Sequence, residues 1–128
     1  MKTNEWLAYL LEQHQEEFIA RLEGEIKGQG FAPPPGAAAA LAAALGTDFT
    51  EDTFAAAPPA LAALAAALRA QDPARVAPAL DKIWLKAEHL LGGYLAEEPE
   101  LTGGARRLAY LRLSALGKEA RAVLAAGE

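Results

Sequence analysis

The sequence predicts an all-α protein, a compact bundle of five to six helices that forms a single domain over residues 1–128. Alanine accounts for 32 of the 128 residues and leucine for 20, whereas there are only two valines and three isoleucines. This balance favours helices and leaves few of the β-branched residues that strands prefer. A chain of this length suits one globular domain with one hydrophobic core.

The first helix is predicted from about Asn4 to Lys27, because apolar residues recur there at intervals that combine three and four. These apolar residues are Leu7, Leu11, Phe18, Leu22 and Ile26. Gly28 and Gly30 predict the end of this helix, and the prolines at 33–35 cannot continue it.

The alanine-rich middle of the chain predicts short helices rather than a flexible linker. One short helix is expected from about Ala37 to Leu45, with Gly46 at its end. Thr47 or Thr50 is then expected to cap a further short turn through Phe54, because a hydroxyl can accept from free amides of a first helical turn.

Proline positions mark the helices of the second half. Pro58-Pro59 predicts the start of a helix with three leucines on one face, namely Leu61, Leu64 and Leu68. Asp72-Pro73 predicts the start of a long helix to about Ala96, and Pro78 should kink that helix or delay its start. The last helix is predicted from about Thr102 to Ala126.

The composition excludes several classes of protein. There is no cysteine, so disulfides, thiolate zinc sites and cysteine nucleophiles are ruled out. Acidic residues appear too early for a signal peptide, and no charge-free run offers about 20 strongly apolar residues for a membrane span. We therefore expect a cytoplasmic protein with no membrane association.

Charge is divided unevenly along the chain. Residues 101–128 carry five basic and two acidic side chains, whereas residues 1–100 carry seven basic and fifteen acidic ones. This division predicts ion pairs between the last helix and the rest of the molecule. Nucleic acid is not an expected partner, because the whole chain has a net charge of −5 and phosphate binding needs a concentrated basic surface.

The two histidines are not expected to form a metal site. At 100° per residue, His14 lies on the buried face of the first helix, whereas His89 lies away from the apolar arc of the long helix. That arc comprises Val76, Leu80, Ile83, Trp84, Ala87, Leu90, Leu91 and Tyr94. Neither histidine belongs to a Glu-x-x-His pair, so no metal and no cofactor are predicted. A haem ligand is the alternative reading of His14, beside the commoner case of a hydrogen-bonded core histidine.

No catalytic residues are predicted, and the chain is expected not to be an enzyme. Its single serine, Ser114, lies in the middle of the last helix with no histidine near it in sequence. Glycine-rich nucleotide-binding motifs and the nucleophile-elbow motif are absent from the sequence.

Arg112 falls at the centre of the apolar arc predicted for the last helix, which comprises Leu101, Ala105, Leu108, Leu116 and Val123. A buried guanidinium needs a carboxylate or several carbonyls. We expect it to pair with Glu88 or Asp81. The alternative is an anionic ligand inside the bundle, in a pocket lined by Arg112, His14 and Trp84.

A second stripe on the last helix predicts a homodimer. Its members lie within about 60° of one another on the side opposite the predicted core arc, and they are Tyr110, Leu113, Gly117 and Leu124. Two-fold packing of this stripe against its copy would remove a row of apolar side chains from water. The alternative is that a short helix from the alanine-rich middle covers the stripe within one chain.

The opening helix resembles that of a family of bacterial regulators. Trp6, Leu7, Leu10, Leu11 and Phe18, together with Tyr9, loosely match an opening of the type W-L-x-x-L-L-x-x-x-x-x-x-F, and a proline-containing middle and two long helices follow. This layout resembles the N-terminal helical sensor domains of stressosome proteins of the Rsb class. The resemblance implies a globin-like fold without haem and a non-enzymatic regulatory or sensory role through protein–protein contacts, with a regulatory protein as a partner. The alternative is a helical carrier of an apolar or anionic small molecule, haem included.

Overall fold

A computed structural model describes residues 3–51 and 54–126, and the fold within these ranges is a bundle of helices. The helices are α1 (Thr3–Gln13), α2 (Gln15–Gly28), α3 (Ala37–Glu51), α4 (Ala57–Gln71), α5 (Val76–Glu97) and α6 (Gly103–Ala126). A short 3-10 turn, Pro73–Arg75, precedes α5. The predicted all-α class and number of helices are confirmed.

The predicted first helix is divided into α1 and α2 by a bend at His14. The backbone there adopts φ −110° and ψ 18°, outside the helical range. Hydrogen bonds still cross the bend, because the His14 N–H donates to the Leu10 carbonyl at 3.0 Å and the His14 carbonyl accepts from the Phe18 N–H at 2.8 Å. The apolar residues predicted for this segment are buried on both sides of it.

The loop after α2 is held against the end of α4 and the start of α5. Gly30, at φ +89°, turns the chain as predicted for a glycine past a helix end. The Gln71 side chain both donates to the Ala32 carbonyl at 2.7 Å and accepts from its N–H at 2.8 Å. Arg75 donates to the Gln29 carbonyl at 2.7 Å. These contacts fix the α2–α3 connection across the bundle.

The predicted end of the third helix at Gly46 is wrong, because α3 continues through Gly46 to Glu51. A helical glycine costs about 1 kcal/mol relative to alanine, and the burial of Phe49 in the next turn offsets that cost. Thr47 and Thr50 lie inside α3. Their hydroxyls donate back to carbonyls four residues earlier, at 3.1 and 2.8 Å. The predicted turn through Phe54 includes residues 52 and 53, which lie outside the described residues.

The start of α4 is capped by a side chain from α3. Asp48 is fully buried, and its two carboxylate oxygens accept from the Ala56 N–H at 2.8 Å and the Ala57 N–H at 2.7 Å. The residue at the N-cap of α4, Ala56, has no side chain that could accept these bonds. Pro58-Pro59 occupies the first turn, as predicted.

The long helix α5 follows its prediction closely. The 3-10 turn takes up Pro73–Arg75, so the regular helix begins only at Val76 and Pro78 lies in its first turn. The predicted delay of the helix start is therefore confirmed. Every residue of the predicted apolar arc is buried.

The last helix has the predicted length but a different orientation. Thr102 caps it by accepting from the Ala105 N–H at 3.1 Å. Its core side consists of Ala109, Leu113, Leu116 and Ala120, whereas Leu108 is 55% exposed. Of the predicted arc centred on Arg112, Leu101 and Leu116 are buried, so the arc is correct in part, but its centre is wrong because the core side passes through Ala109 and Ala120. The helix carries apolar residues on more than one side, and periodicity alone does not select which of them the bundle buries.

Packing around one continuous core joins the six helices. α1 lies against α3, α5 and α6; α2 lies against α3 and α5; and α6 packs along both α4 and α5. The largest fully buried side chains are those of Trp84, Phe18 and Phe49. Within the described residues, none of the helices combines the length and apolar character needed to cross a bilayer.

Candidate functional site

His14 packs against an aromatic ring of α5. Its imidazole stacks on Tyr94 with ring centroids 4.2 Å apart and an interplanar angle of 8°, and the side chain is half-buried. His89 lies exposed on α5, away from this stack, as its position on the helical wheel predicted. In the described part of the chain, no cluster of three or more histidine, aspartate or glutamate residues has the arrangement of a metal site.

The phenol of Tyr94 lies in a buried position that suppresses its ionisation. Its hydroxyl has no hydrogen-bond partner among the described residues. Burial, followed by the negative charge of Glu17, raises the pKa of Tyr94 to about 12. The phenol is therefore neutral at physiological pH, and its stacking on His14 is a packing contact.

Arg112 contacts the α3–α4 connection. Its guanidinium lies 4.8 Å from the centroid of the Phe54 ring, and Nη2 donates to the Asp48 carbonyl at 3.2 Å. These contacts are with Asp48 and Phe54 and not with Glu88 or Asp81, which were the expected partners of Arg112. The rotation of α6 turns Arg112 toward α3 and away from α5, where both carboxylates lie.

Glu88 instead links Trp84 to α6. The indole N–H of Trp84, which is fully buried, donates to one carboxylate oxygen of Glu88, and Arg121 lies 3.3 Å from the other. A Cβ on Gly117 would overlap the Glu88 carboxylate, so the glycine leaves the space that this link occupies. The ion pair between Arg121 and Glu88 is one of the contacts predicted between the basic last helix and the acidic rest of the chain.

The three predicted pocket residues have separate surroundings. Trp84 and Tyr94, the ring on which His14 stacks, are ten residues apart on α5, or about 15 Å at 1.5 Å per residue. Arg112 lies against Asp48 and Phe54. The grooves described below are lined by other residues, so these three side chains do not form the predicted common pocket.

The stripe predicted for a homodimer is largely occupied within the chain. Leu113 and Gly117 are buried, Leu124 is half-buried, and the Tyr110 hydroxyl donates to the Gly92 carbonyl of α5 at 2.9 Å. The prediction that the stripe faces away from the core is wrong. Tyr110 and Gly117 contact α5, and α4 from the alanine-rich middle also packs on α6, so the structure fits the alternative in which the stripe is covered within one chain.

Exposed apolar side chains concentrate on α5 and α6. Leu85, Leu108 and Leu111 are 56, 55 and 58% exposed, and Tyr110 is 37% exposed. Among the described residues, the one other large apolar side chain with comparable exposure is Tyr9 on α1. Single exposed leucines are common, but a concentration of them on one helix pair is typical of a contact surface.

Two grooves connect these residues into one surface. The first, of about 360 Å³, lies between α5 and α6, and its lining includes Leu85, His89, Tyr110 and Ser114. The second has a similar volume and shares Tyr110 and Ser114, but it continues along α6 to Leu111 and Arg107. We call this continuous surface, with the adjoining Leu108, the α5/α6 face.

The charge on this face is mainly positive. On the helical wheel of α6, the arc from Tyr110 to Leu111 contains Arg107, Lys118 and Arg121, whereas the exposed Glu119 lies next to Leu108 at the opposite edge of the face. Arg121 is paired with Glu88, whereas Arg107 and Lys118 are exposed. The face therefore combines exposed leucines with unneutralised positive charge.

A further groove, of about 390 Å³, lies between α1 and α3. Its walls are built mainly from small side chains, with the carboxylates of Glu12 and Glu51 among them. It lacks the exposed leucines and the aromatic ring of the α5/α6 face. Among the described residues, none of these three grooves contains a hydroxyl hydrogen-bonded to a histidine or a carboxylate.

Comparison with protein-family models, with curated proteins and with solved structures finds no match for this chain. The resemblance of the opening helix to stressosome sensor domains therefore stays a prediction.

Proposed function

We propose that this chain is a non-enzymatic regulatory module that acts through protein–protein contacts made by the α5/α6 face. The observation that carries the proposal is the concentration of exposed leucines on this helix pair. Leaving three leucines in water is unfavourable by roughly 25 cal/mol for each Å² of apolar surface, and a bound partner would remove that surface from solvent.

The remainder of the molecule supports this role. The Trp84–Glu88–Arg121 link and the hydrogen bond from Tyr110 to Gly92 hold α5 and α6 in a fixed relation. A fixed surface loses little conformational entropy when it binds, which favours recognition of a partner. A second copy of the chain is the alternative occupant of this face. The predicted homodimer stripe itself is buried against α5.

Site-specific photocrosslinking in the cells that make the protein tests this proposal. A benzoylphenylalanine at position 111 is expected to give a discrete adduct, and the additional substitution Leu85→Glu should remove it. The matched control places the same residue at position 66, an exposed alanine of α4. An adduct mass of twice the chain would identify a second copy as the occupant.

The result that contradicts the proposal is equally definite. If position 111 gives no discrete adduct, or if positions 111 and 66 give the same products, then the α5/α6 face is not a specific contact surface.

A further inference from the structure

We infer that the occupant of the α5/α6 face is an amphipathic helix of another protein, with leucine-like residues at helical spacing and carboxylates along one flank. This inference rests on the proposed function and adds the chemistry of the partner. Its first support is spacing. The outer side of α6 presents Leu108, Leu111, Ala115 and Ala122 at intervals of three, four and seven, and all four are exposed.

These intervals match the apolar seam of two packed helices. The leucines supply apolar contact at one end of the seam, and the alanines allow a second helix axis to approach α6 closely at the other end. The groove that runs from Tyr110 to Leu111 lies next to this seam and can receive a side chain from the partner. A helix laid along α6 therefore uses both the seam and this groove, whereas a single loop would use the groove alone.

The second support is charge. Arg107 lies one turn before Leu111, and Lys118 lies two turns after it, so both flank a helix bound along the seam. Arg106 is not expected to bind the partner's carboxylates, because its guanidinium already donates to the carbonyls of Leu95 and Glu98 at the end of α5. Carboxylates on the partner are therefore expected opposite Arg107 and Lys118.

The same charges argue against an antiparallel second copy as the occupant. A two-fold axis perpendicular to α6 would place the flank of Arg107 and Lys118 against the same flank of the copy. In a parallel pair that flank would instead face Glu119 of the copy, and sedimentation distinguishes that arrangement. On α6, the exposed carboxylate of Glu119 lies next to Leu108 on the opposite flank of the seam, so the acidic flank of the partner belongs on the side of Arg107 and Lys118. These charges define both the sign and the side of the partner's flank.

Two synthetic 14-residue helical peptides provide the test. They share leucines at positions 3, 6, 10 and 13 and differ only in their flanking residues, which are glutamates in one and lysines in the other. Fluorescence anisotropy with the full chain is expected to show about fivefold tighter binding of the acidic peptide at 50 mM salt. At 500 mM salt the preference should fall to about twofold, because exposed ion pairs contribute less than about 1 kcal/mol each and are screened.

Charge variants of the chain show which side chains cause the preference for the acidic peptide. Arg107→Glu should remove the preference for the acidic peptide, whereas Lys27→Glu, at an exposed lysine near the end of α2, should leave it unchanged. Leu111→Ser should weaken binding of both peptides by about fivefold, since its side chain is exposed and its loss leaves the fold intact.

The outcomes separate this inference from the proposed function. Equal binding of both peptides that Leu111→Ser weakens would overturn the acidic partner and leave the α5/α6 face as a contact surface. Binding of neither peptide at millimolar concentration would also overturn the inference, while photocrosslinking at position 111 reports on the face independently. Sedimentation that shows a dimer of the wild type, lost in Leu111→Ser, would establish a second copy as the occupant and overturn it as well.

Discussion

Replacing Asp48 by alanine is expected to remove the cap of α4 without touching α4 itself. The carboxylate is fully buried and accepts from the first amides of that helix, at 2.8 and 2.7 Å. A hydrogen bond to a charged group contributes about 1.5 kcal/mol or more, so losing two should cost about 3 kcal/mol of the free energy of unfolding. For a chain of this size that corresponds to a fall in Tm of roughly 10 °C.

The two oxygens of Asp48 make a graded test possible. Asp48→Asn keeps one accepting oxygen and should lose about half as much stability as Asp48→Ala. The matched control is Glu51→Ala, because Glu51 is an exposed carboxylate in the same helix and its loss should cost less than about 0.5 kcal/mol. Urea denaturation followed by far-UV circular dichroism measures all three. A cost for Asp48→Ala no larger than that for Glu51→Ala would refute the assignment of Asp48 as the cap.

Three further substitutions test other features, with urea midpoints as the measurement. Gly46→Ala should stabilise the protein by about 0.5–1 kcal/mol if α3 runs through this position, and a loss of stability would show that the helix ends there. Gly117→Ala should be about 1–2 kcal/mol less favourable than Gly46→Ala, because both substitutions gain helix propensity but only a Cβ at 117 displaces the Glu88 carboxylate from Trp84; an equal effect of the two would contradict that contact. Burial raises the pKa of Tyr94 from 10.0 to about 12, so the contribution of the neutral phenol to the free energy of unfolding is fully present below pH 10 and is lost as the pH rises toward 12. The wild type should therefore lose more stability than Tyr94→Phe between pH 9 and pH 11. Equal losses would refute the shift.

The helix boundaries that proline and glycine define could be predicted from the sequence. Pro58-Pro59 opens α4 and Pro78 delays α5, because proline restricts the backbone in a way that depends little on the rest of the fold. Gly30 follows the end of α2, because glycine readily adopts the positive φ found there. Gly46 gave the opposite outcome. A glycine permits a helix end but does not require one, and burial of Phe49 decides in favour of continuation.

The candidate site was harder to predict, because it depends on which side of α6 the bundle buries. Leu108 and Leu113 are equally apolar, and only packing against α4 and α5 determines that Leu113 is buried and Leu108 is exposed. The capping role of Asp48 was hard to predict for a similar reason, because it also depends on how two helices pack. Its partner amides lie eight and nine residues later, and the one signal in the sequence is that Ala56 offers α4 no cap of its own.

The fluorescence of the buried Trp84 indole can report on the separation of α5 and α6. Its N–H is held by the same carboxylate that contacts Arg121 of α6, so a movement of α6 away from α5 alters both the charge and the hydration around the ring. Indole emission shifts to longer wavelength as water reaches the ring. The other tryptophan, Trp6, lies on α1, and Trp6→Phe leaves Trp84 as the single fluorophore. Emission of that variant would then follow the opening of the α5–α6 pair in real time, with no attached label.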